Sequence, residues 1–433
     1  MGHTSSRTPP RPAVSQNELL QLAKDGDTAR IKELLAQGVD FDIRSSTGQT
    51  PLMVAAFWGQ LEAVELIGSK SDINRVDEHG MSALMYAVDK IQSPVIEFLL
   101  KNGAKIDQQN MDGQTALMRV SHEGQIEVVQ ALIDHEAKLD LVDKEGHPAL
   151  VYAINQDQQA VAELLITKGA NLNLQLKNGS PAIFAALSRK KAELIKLLID
   201  HKADLNSVDK NGSSPLIIAI ESGQPEVAEL LMKNQVNLDI KNDAGETALI
   251  CAIRNNQSLL VQTLIQNHAN VEIADEEGRT PFRMAVESGN FEFAKIFSDL
   301  QRKSINTPDK KGVTPLMKVV AMGNEEMVKW LIEKGADLRA KDQRGANALF
   351  FAAYNGEAEH ERIMDFMLLK RVIDIDAKDN QNHTAMMVAA QRGNDKIVRL
   401  LLKFGAKKDG ALEAAQVGGS VQVQQTLKEV GAR

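Results

Sequence analysis

A glycine-led motif returns along this chain at a nearly fixed interval, and that interval leaves few folds open. The glycine stands before a short apolar run at Gly48, Gly80, Gly113, Gly146, Gly179, Gly212, Gly245, Gly278, Gly312 and Gly345, and Asn382 takes its place in an eleventh copy. Most steps are 33 residues; one is a residue short (Gly48 to Gly80), one a residue long (Gly278 to Gly312) and one four residues long (Gly345 to Asn382). A unit of that size cannot bury an apolar face alone, so the period predicts supersecondary units stacked on their neighbours. The 433 residues would otherwise suggest about three compact domains, a prior that the repeat removes. The irregular steps are expected to fall in loops.

Within each unit the residues describe a helical pair. Thr or Ser, as at Thr50, Ser82 and Thr115, can cap a first helix, with Pro or Ala in its first turn. The apolar run then stops near a second glycine, such as Gly59, Gly124 or Gly393. A second helix follows with apolar residues at helical spacing, for example Val128, Leu132 and Ile133 or Val328, Leu331 and Ile332. Two Asx registers mark the connectors: Asp42, Asn74, Asp107, Asp140, Asn173, Asp239, Asn306 and Asp376 in one, Asp77, Asn110, Asp143, Asp209, Asp275, Asp309, Asp342 and Asp379 in the other. Short Asx side chains bond their own backbone in turns, so both rows read as turn builders rather than metal ligands. Aromatic residues are 4% of the chain, which leaves a core of Leu, Ile, Val, Ala and Met, as packed helices with close contacts require.

Three segments carry a family resemblance: GQTPLMVAAFWGQ from Gly48, GRTPFRMAVESGN from Gly278 and GVTPLMKVVAMGN from Gly312, with LIEKGADLRAKDQRG closing the unit that ends at Gly345. They resemble ankyrin repeats over residues 17 to 433, and the TPLM style is similar to bacterial members. The resemblance implies an all-α-dominated solenoid of helix-turn-helix units with short β-hairpin-like connectors. Expected boundaries are a disordered, Pro-containing tail over 1–16, a capping repeat over 17–44, eleven repeats over 45–409 and capping helices over 410–433, the last polar on its outward side. The opening MGHTSS formally matches a myristoylation pattern, which is read as chance in an inert tail. The family's histidine after TPL is absent, replaced by Met53, Met85, Met118, Val151, Phe184, Ile217, Ile250, Arg283, Met317, Phe350 and Met387, so a hydrogen-bonding anchor is expected to become apolar packing. The glycine ending the second helix is Glu136, Lys202, Gln235 or His268 in the middle units, which are expected to be the softer ones because non-glycine residues in left-handed geometry are strained.

The resemblance also implies where function sits. Partners of such solenoids usually meet the concave face, at hairpin tips and exposed first-helix positions. Here those positions fall two, five and six residues after the Leu of the TPL register. All three tyrosines, Tyr86, Tyr152 and Tyr354, stand on them, as do Phe57, Trp58 and Phe351, and Tyr and Trp are preferred interface anchors. Lys90, Arg119, His122 and Arg189 occupy matching addresses. The expected primary contact is Trp58, Tyr86 and Tyr152 with Arg119 between them, and the second patch is Phe351 with Tyr354.

Charge and motifs narrow the function classes. Fifty Lys and Arg against 58 Asp and Glu give a formal charge of -8, which argues against a nucleic-acid partner. No apolar run reaches the roughly eighteen residues of a membrane span and no secretory leader opens the chain, so a cytoplasmic monomer is expected, with export by a dedicated system left open. The single cysteine, Cys251, cannot form an internal disulfide or a thiolate zinc site, and its register places it on an exposed first-helix position. The nine histidines show no HExxH spacing, and no GxSxG, P-loop or dinucleotide glycine pattern occurs. The chain therefore reads as a non-enzymatic scaffold or adaptor that binds another protein and needs no metal or cofactor. A bacterial effector or inhibitor acting on a host or cognate enzyme, and an enzyme with an unrecognised site, are the alternatives.

Overall fold

The computed structural model describes residues 14–300 and 302–431. Among them, 26 α-helices follow one another as thirteen pairs. The connectors hold isolated antiparallel bridges, Val76 to Ser82 and Lys378 to Thr384, rather than strands. Most of the expected N-terminal tail lies outside the described residues; the first helix, Gln16–Asp25, starts one residue earlier than expected because Ser15 caps it through the Glu18 N–H. The described residues divide into two compact units that meet at Asn234 and Gln235 in the sequence. Inside each unit first helices pack on first helices and second on second, in chain order.

Local chemistry starts each pair. Thr50, Ser82, Thr115, Ser214, Thr247, Thr280, Thr314 and Thr384 all accept a backbone N–H three residues on, satisfying a donor that the first turn leaves orphaned. Pro148 and Pro181 stand at the same place without a side-chain cap. One face of each first helix then meets its neighbours through alanine: Ala55, Ala87, Ala153, Ala186, Ala219, Ala252, Ala285, Ala352 and Ala389 are fully buried, letting backbones approach closely, while Leu and Ile of both helices fill the space between.

The irregular steps fall mainly in the second helix rather than in loops. The second helix is eight residues long in the 32-residue step (Leu61–Gly68), nine in the 33-residue steps (as in Ile126–Asp134), ten in the 34-residue step (Phe291–Leu300) and twelve in the 37-residue step (Ala358–Leu369). Length changes are thus absorbed mainly at the outer helix, where each added residue makes one more backbone hydrogen bond, and the first helices and tips keep their register. Of the four residues inserted after Asn355, three lengthen the second helix and the fourth falls in the connector between Arg371 and Asp376.

Both Asx registers build turns, but they do different work. In the register of Asp77, Asp143, Asp309 and Asp379 one carboxylate oxygen accepts the N–H groups two and four residues on. In the other, the expected self-bonding is corrected: Asp42, Asn74, Asp107, Asp140, Asn173, Asp239, Asn306 and Asp376 accept a backbone N–H of the following repeat, about 31 residues on. That row is a staple between repeats. Where Arg339 departs from it, its Nε donates forward to the Val372 carbonyl instead.

Two further expectations change. The last helix pair, Ala411–Gly418 and Val421–Glu429, exposes Val417 at 72% and Val421 at 76%, so its outward side is not purely polar. Left-handed geometry is confirmed at Glu136, Lys202, Gln235 and His268, and it also occurs at Ile91, with φ of 57°. Ile91 follows its first helix where Gly59 and Gly124 follow theirs, and a β-branched residue is poorly suited to that conformation. Ile91→Gly is expected to raise stability by about 1 kcal/mol, read as a higher denaturant midpoint at constant slope; a lower midpoint would refute the strain argument.

Candidate functional site

The first-helix addresses two, five and six residues after the register Leu are partly or fully exposed at every repeat except one. The exception is Cys251, which is fully buried, contrary to its expected exposure. The positions between them, such as Ala55, Ala56, Ala87 and Val88, are closed off by the neighbouring helices. Within each unit this row and the hairpin tips beside it are left exposed.

In the first unit the structure gathers several of the expected residues. The Phe57 ring meets Trp58 edge-on at 5.6 Å and Tyr86 at 6.0 Å. Lys24 lies 5.0 Å over Trp58 and Lys90 lies 4.9 Å over Phe57, within cation-π range. Trp58 is 50% exposed. One repeat further, the Arg119 guanidinium grips Asp89 through two bonds of 2.7 Å and donates to Gln114 Oε1 at 2.9 Å. The bond to Asp89 holds its pKa above the ordinary value. His122 sits edge-on to Tyr152 at 6.2 Å with Nδ1 3.0 Å from Glu123 Oε1. Arg189, exposed at the end of Ala182–Ser188, is not brought to this cluster.

Tyr86 and Tyr152 are held more tightly than a free interface anchor would be. Tyr86 donates to Asp77 Oδ2 at 2.6 Å and accepts from Gln49 Nε2 at 2.8 Å; Tyr152 repeats the pattern with Asp143 at 2.6 Å and Gln114 at 2.8 Å. Each ring thus fills the gap between its first helix and the tips of two repeats. Burial, followed by the bond to the carboxylate, pushes both phenols up to about 12. Because the folded value exceeds the unfolded one of about 10, the stabilisation is complete below pH 10 and is lost as pH rises through 12. Absorbance at 295 nm is expected to show two phenols titrating near pH 12 in the folded chain, and Tyr86→Phe with Tyr152→Phe to remove that phase. Titration of both near 10 would show the bonds to be unformed. The Gln–Asp–Tyr arrangement went unread in the sequence, although its signal is there: an Asp nine residues before each Tyr and a Gln just after the preceding tip glycine.

The second unit is organised differently. Tyr354 is 53% exposed and carries the Arg392 guanidinium on its face at 3.7 Å. Together with Phe350, Phe351 and Val388 it lines a cavity of about 700 Å³, closed on the tip side by Gln343, Arg344, Ala346 and Asp379 to Gln381. At the position of the missing family histidine, Arg283 is 3% exposed and is bonded to Glu287 Oε1 at 2.6 Å, Asp309 Oδ2 at 2.9 Å and the Val313 carbonyl at 2.5 Å. The polar anchor is therefore kept in this repeat. Elsewhere sulfur replaces it in part, since Met53, Met118 and Met317 accept the N–H of Thr50, Thr115 and Thr314 at 3.3 to 3.4 Å. Apolar packing alone does not describe the register.

Among the described residues no helix is long and apolar enough to cross a membrane. The sequence profile of ankyrin repeats, in blocks of three copies, matches overlapping segments from residues 19–110 through 335–413. Human neurogenic locus notch homolog protein 1 is 40% identical over 98 residues, 21% of this chain and 4% of that protein. Rat ankyrin repeat and SAM domain-containing protein 6 is 31% identical over 120 residues, 27% of this chain and 13% of that one. Delta-latroinsectotoxin-Lt1a of Latrodectus tredecimguttatus is 38% identical over 76 residues, 18% and 6% of the two chains. The matches thus span small parts of these relatives. A crystal structure of an ankyrin repeat domain from Acinetobacter baumannii is similar over 44% of this chain and all of that one, at 31% identity and a TM-score of 0.42. With the profile matching overlapping segments from residue 19 to residue 413, and a stack of capped helix pairs present in the structure, this chain belongs to the ankyrin-repeat family.

Proposed function

We propose that the chain is a non-enzymatic, monomeric protein-binding module that holds its partner along the exposed first-helix row, with Phe57, Trp58 and Lys90 as the primary contact in the first unit and Phe351 and Tyr354 as a second in the other. Ankyrin repeats are protein-interaction modules in general, and one observation carries the finer reading: packing buries the positions flanking the row yet leaves large rings such as Trp58 and Tyr354 half in water, where an aromatic surface is stabilised by a partner that covers it. The mixed charge around these rings, Lys24 and Lys90 on one side and the Arg119–Asp89 pair on the other, suits a protein surface better than a phosphate backbone.

The test is affinity capture from native lysate with quantitative mass spectrometry, comparing the intact chain with Trp58→Ala and with Tyr354→Ala. Both variants are expected to melt like the intact chain, since the rings are half-exposed, and each is expected to lose a partner that the intact chain retains. An unchanged set of partners with both variants would place the interface off this row.

A further inference from the structure

The cavity in the second unit stands where the first unit places a tyrosine. In repeat register, Ala346, Asp379 and Val388 occupy the positions held by Gln49, Asp77 and Tyr86, and again by Gln114, Asp143 and Tyr152. The carboxylate is retained, while the amide and the ring are cut back to Ala and Val. All three residues line the cavity of about 700 Å³. The smaller cavity of the first unit, about 300 Å³, follows the same rule, because its lining includes Ala185 at the tyrosine address. At Val388 and Ala185 the small side chain leaves open the gap that the rings of Tyr86 and Tyr152 fill, whereas the equally small Cys251 is enclosed by its neighbours.

What the open gap offers is specific. Asp379 Oδ1 is used by its own turn, accepting the Gln381 and His383 N–H groups at 2.9 and 2.8 Å. Its Oδ2 corresponds to the oxygen that receives the tyrosine hydroxyl at 2.6 Å in the first unit, and His383 Nδ1 stands 3.3 Å from it. The equivalent Asp143 also has a histidine close by, His147 at 3.8 Å, and still takes its tyrosine. Phe351 and Tyr354 supply aromatic walls, and Arg344 and Arg392 stand at the rim.

Building on the protein-binding reading above, we propose that this cavity receives an unmodified tyrosine side chain from an extended segment of the partner protein, its hydroxyl donating to Asp379 Oδ2 and its ring packing against Phe351 and Tyr354. The partner supplies in trans the ring that the first unit holds in cis. A phosphorylated tyrosine would set its phosphate against the Asp379 carboxylate, and the rim arginines disfavour a basic segment around the tyrosine.

The test is selection of random displayed peptides on the full chain, followed by fluorescence anisotropy with the selected sequences. Selected peptides are expected to carry a tyrosine. Replacing it by phenylalanine, or Asp379 by Asn, is expected to weaken binding about tenfold, as loss of a hydrogen bond to a charged group does. Val388→Tyr, which restores the first unit's ring, is expected to abolish binding at an unchanged or raised melting temperature. Peptides that bind Val388→Tyr as well as the parent overturn the site, and so does a selection that yields nothing. Selected peptides indifferent to the phenylalanine exchange and to Asp379→Asn, or bound more tightly when phosphorylated, overturn the tyrosine assignment. In each case partner capture that still depends on Trp58 leaves the general protein-binding reading standing, so the two fail separately.

Discussion

Replacing Arg283 by Met is expected to lower the stability of the second unit by about 3 kcal/mol, because it leaves the largely buried Glu287 and Asp309 without their cation. Arg283 is 3% exposed, and its Nε, Nη1 and Nη2 each reach a different acceptor across two repeats. Removing one partner of such an arrangement costs more than the arrangement contributes, since the desolvation of the remaining charges is no longer offset. Urea unfolding of Arg283→Met should show the loss; restoration by Arg283→Met with Glu287→Gln and Asp309→Asn would identify uncompensated charge, rather than lost packing, as its cause. A change below about 1 kcal/mol, the level of an exposed pair, would refute the buried-anchor assignment.

Tyr86→Ala and Tyr152→Ala are expected to destabilise the first unit by about 2 kcal/mol each, roughly half of what truncating a fully buried aromatic costs. This sets both rings apart from Trp58, with which the sequence groups them in the expected primary contact. Each is half-buried and bonded at both ends of its hydroxyl to the tips of two repeats. Trp58→Ala, by contrast, should leave the melting temperature within the scatter typical of surface changes. Thermal melts of the three variants separate scaffold from interface directly: equal melting temperatures throughout would return both tyrosines to the interface class.

The repeat made much of this legible beforehand. Caps at Thr50, Ser82 and Thr115, the tip turns at Asp77 and Asp143, and left-handed residues at Glu136, Lys202 and His268 are local features, set by interactions within a few residues, and a sequence displays those directly. The accessible row on the first helices was legible for the same reason, since helical period and repeat register together fix which positions neighbours can cover. Cys251 shows the limit of that argument: its address matches exposed residues elsewhere, but the small thiol is enclosed by the larger groups around it.

What sequence alone determined, then, is the fold and the register of exposed positions along the first helices, because stacked repeats permit only nearest-neighbour contacts and register propagates from one to the next. Only the tertiary structure decided which residues at those positions are free to act. It tied Tyr86 and Tyr152 into the tips, paired Arg119 with Asp89, buried Arg283 as an anchor and left a cavity beside Phe351 and Tyr354. Those outcomes depend on side chains some thirty residues apart meeting at one point, where volume and hydrogen-bonding capacity compete, and no period in the sequence encodes which of them wins.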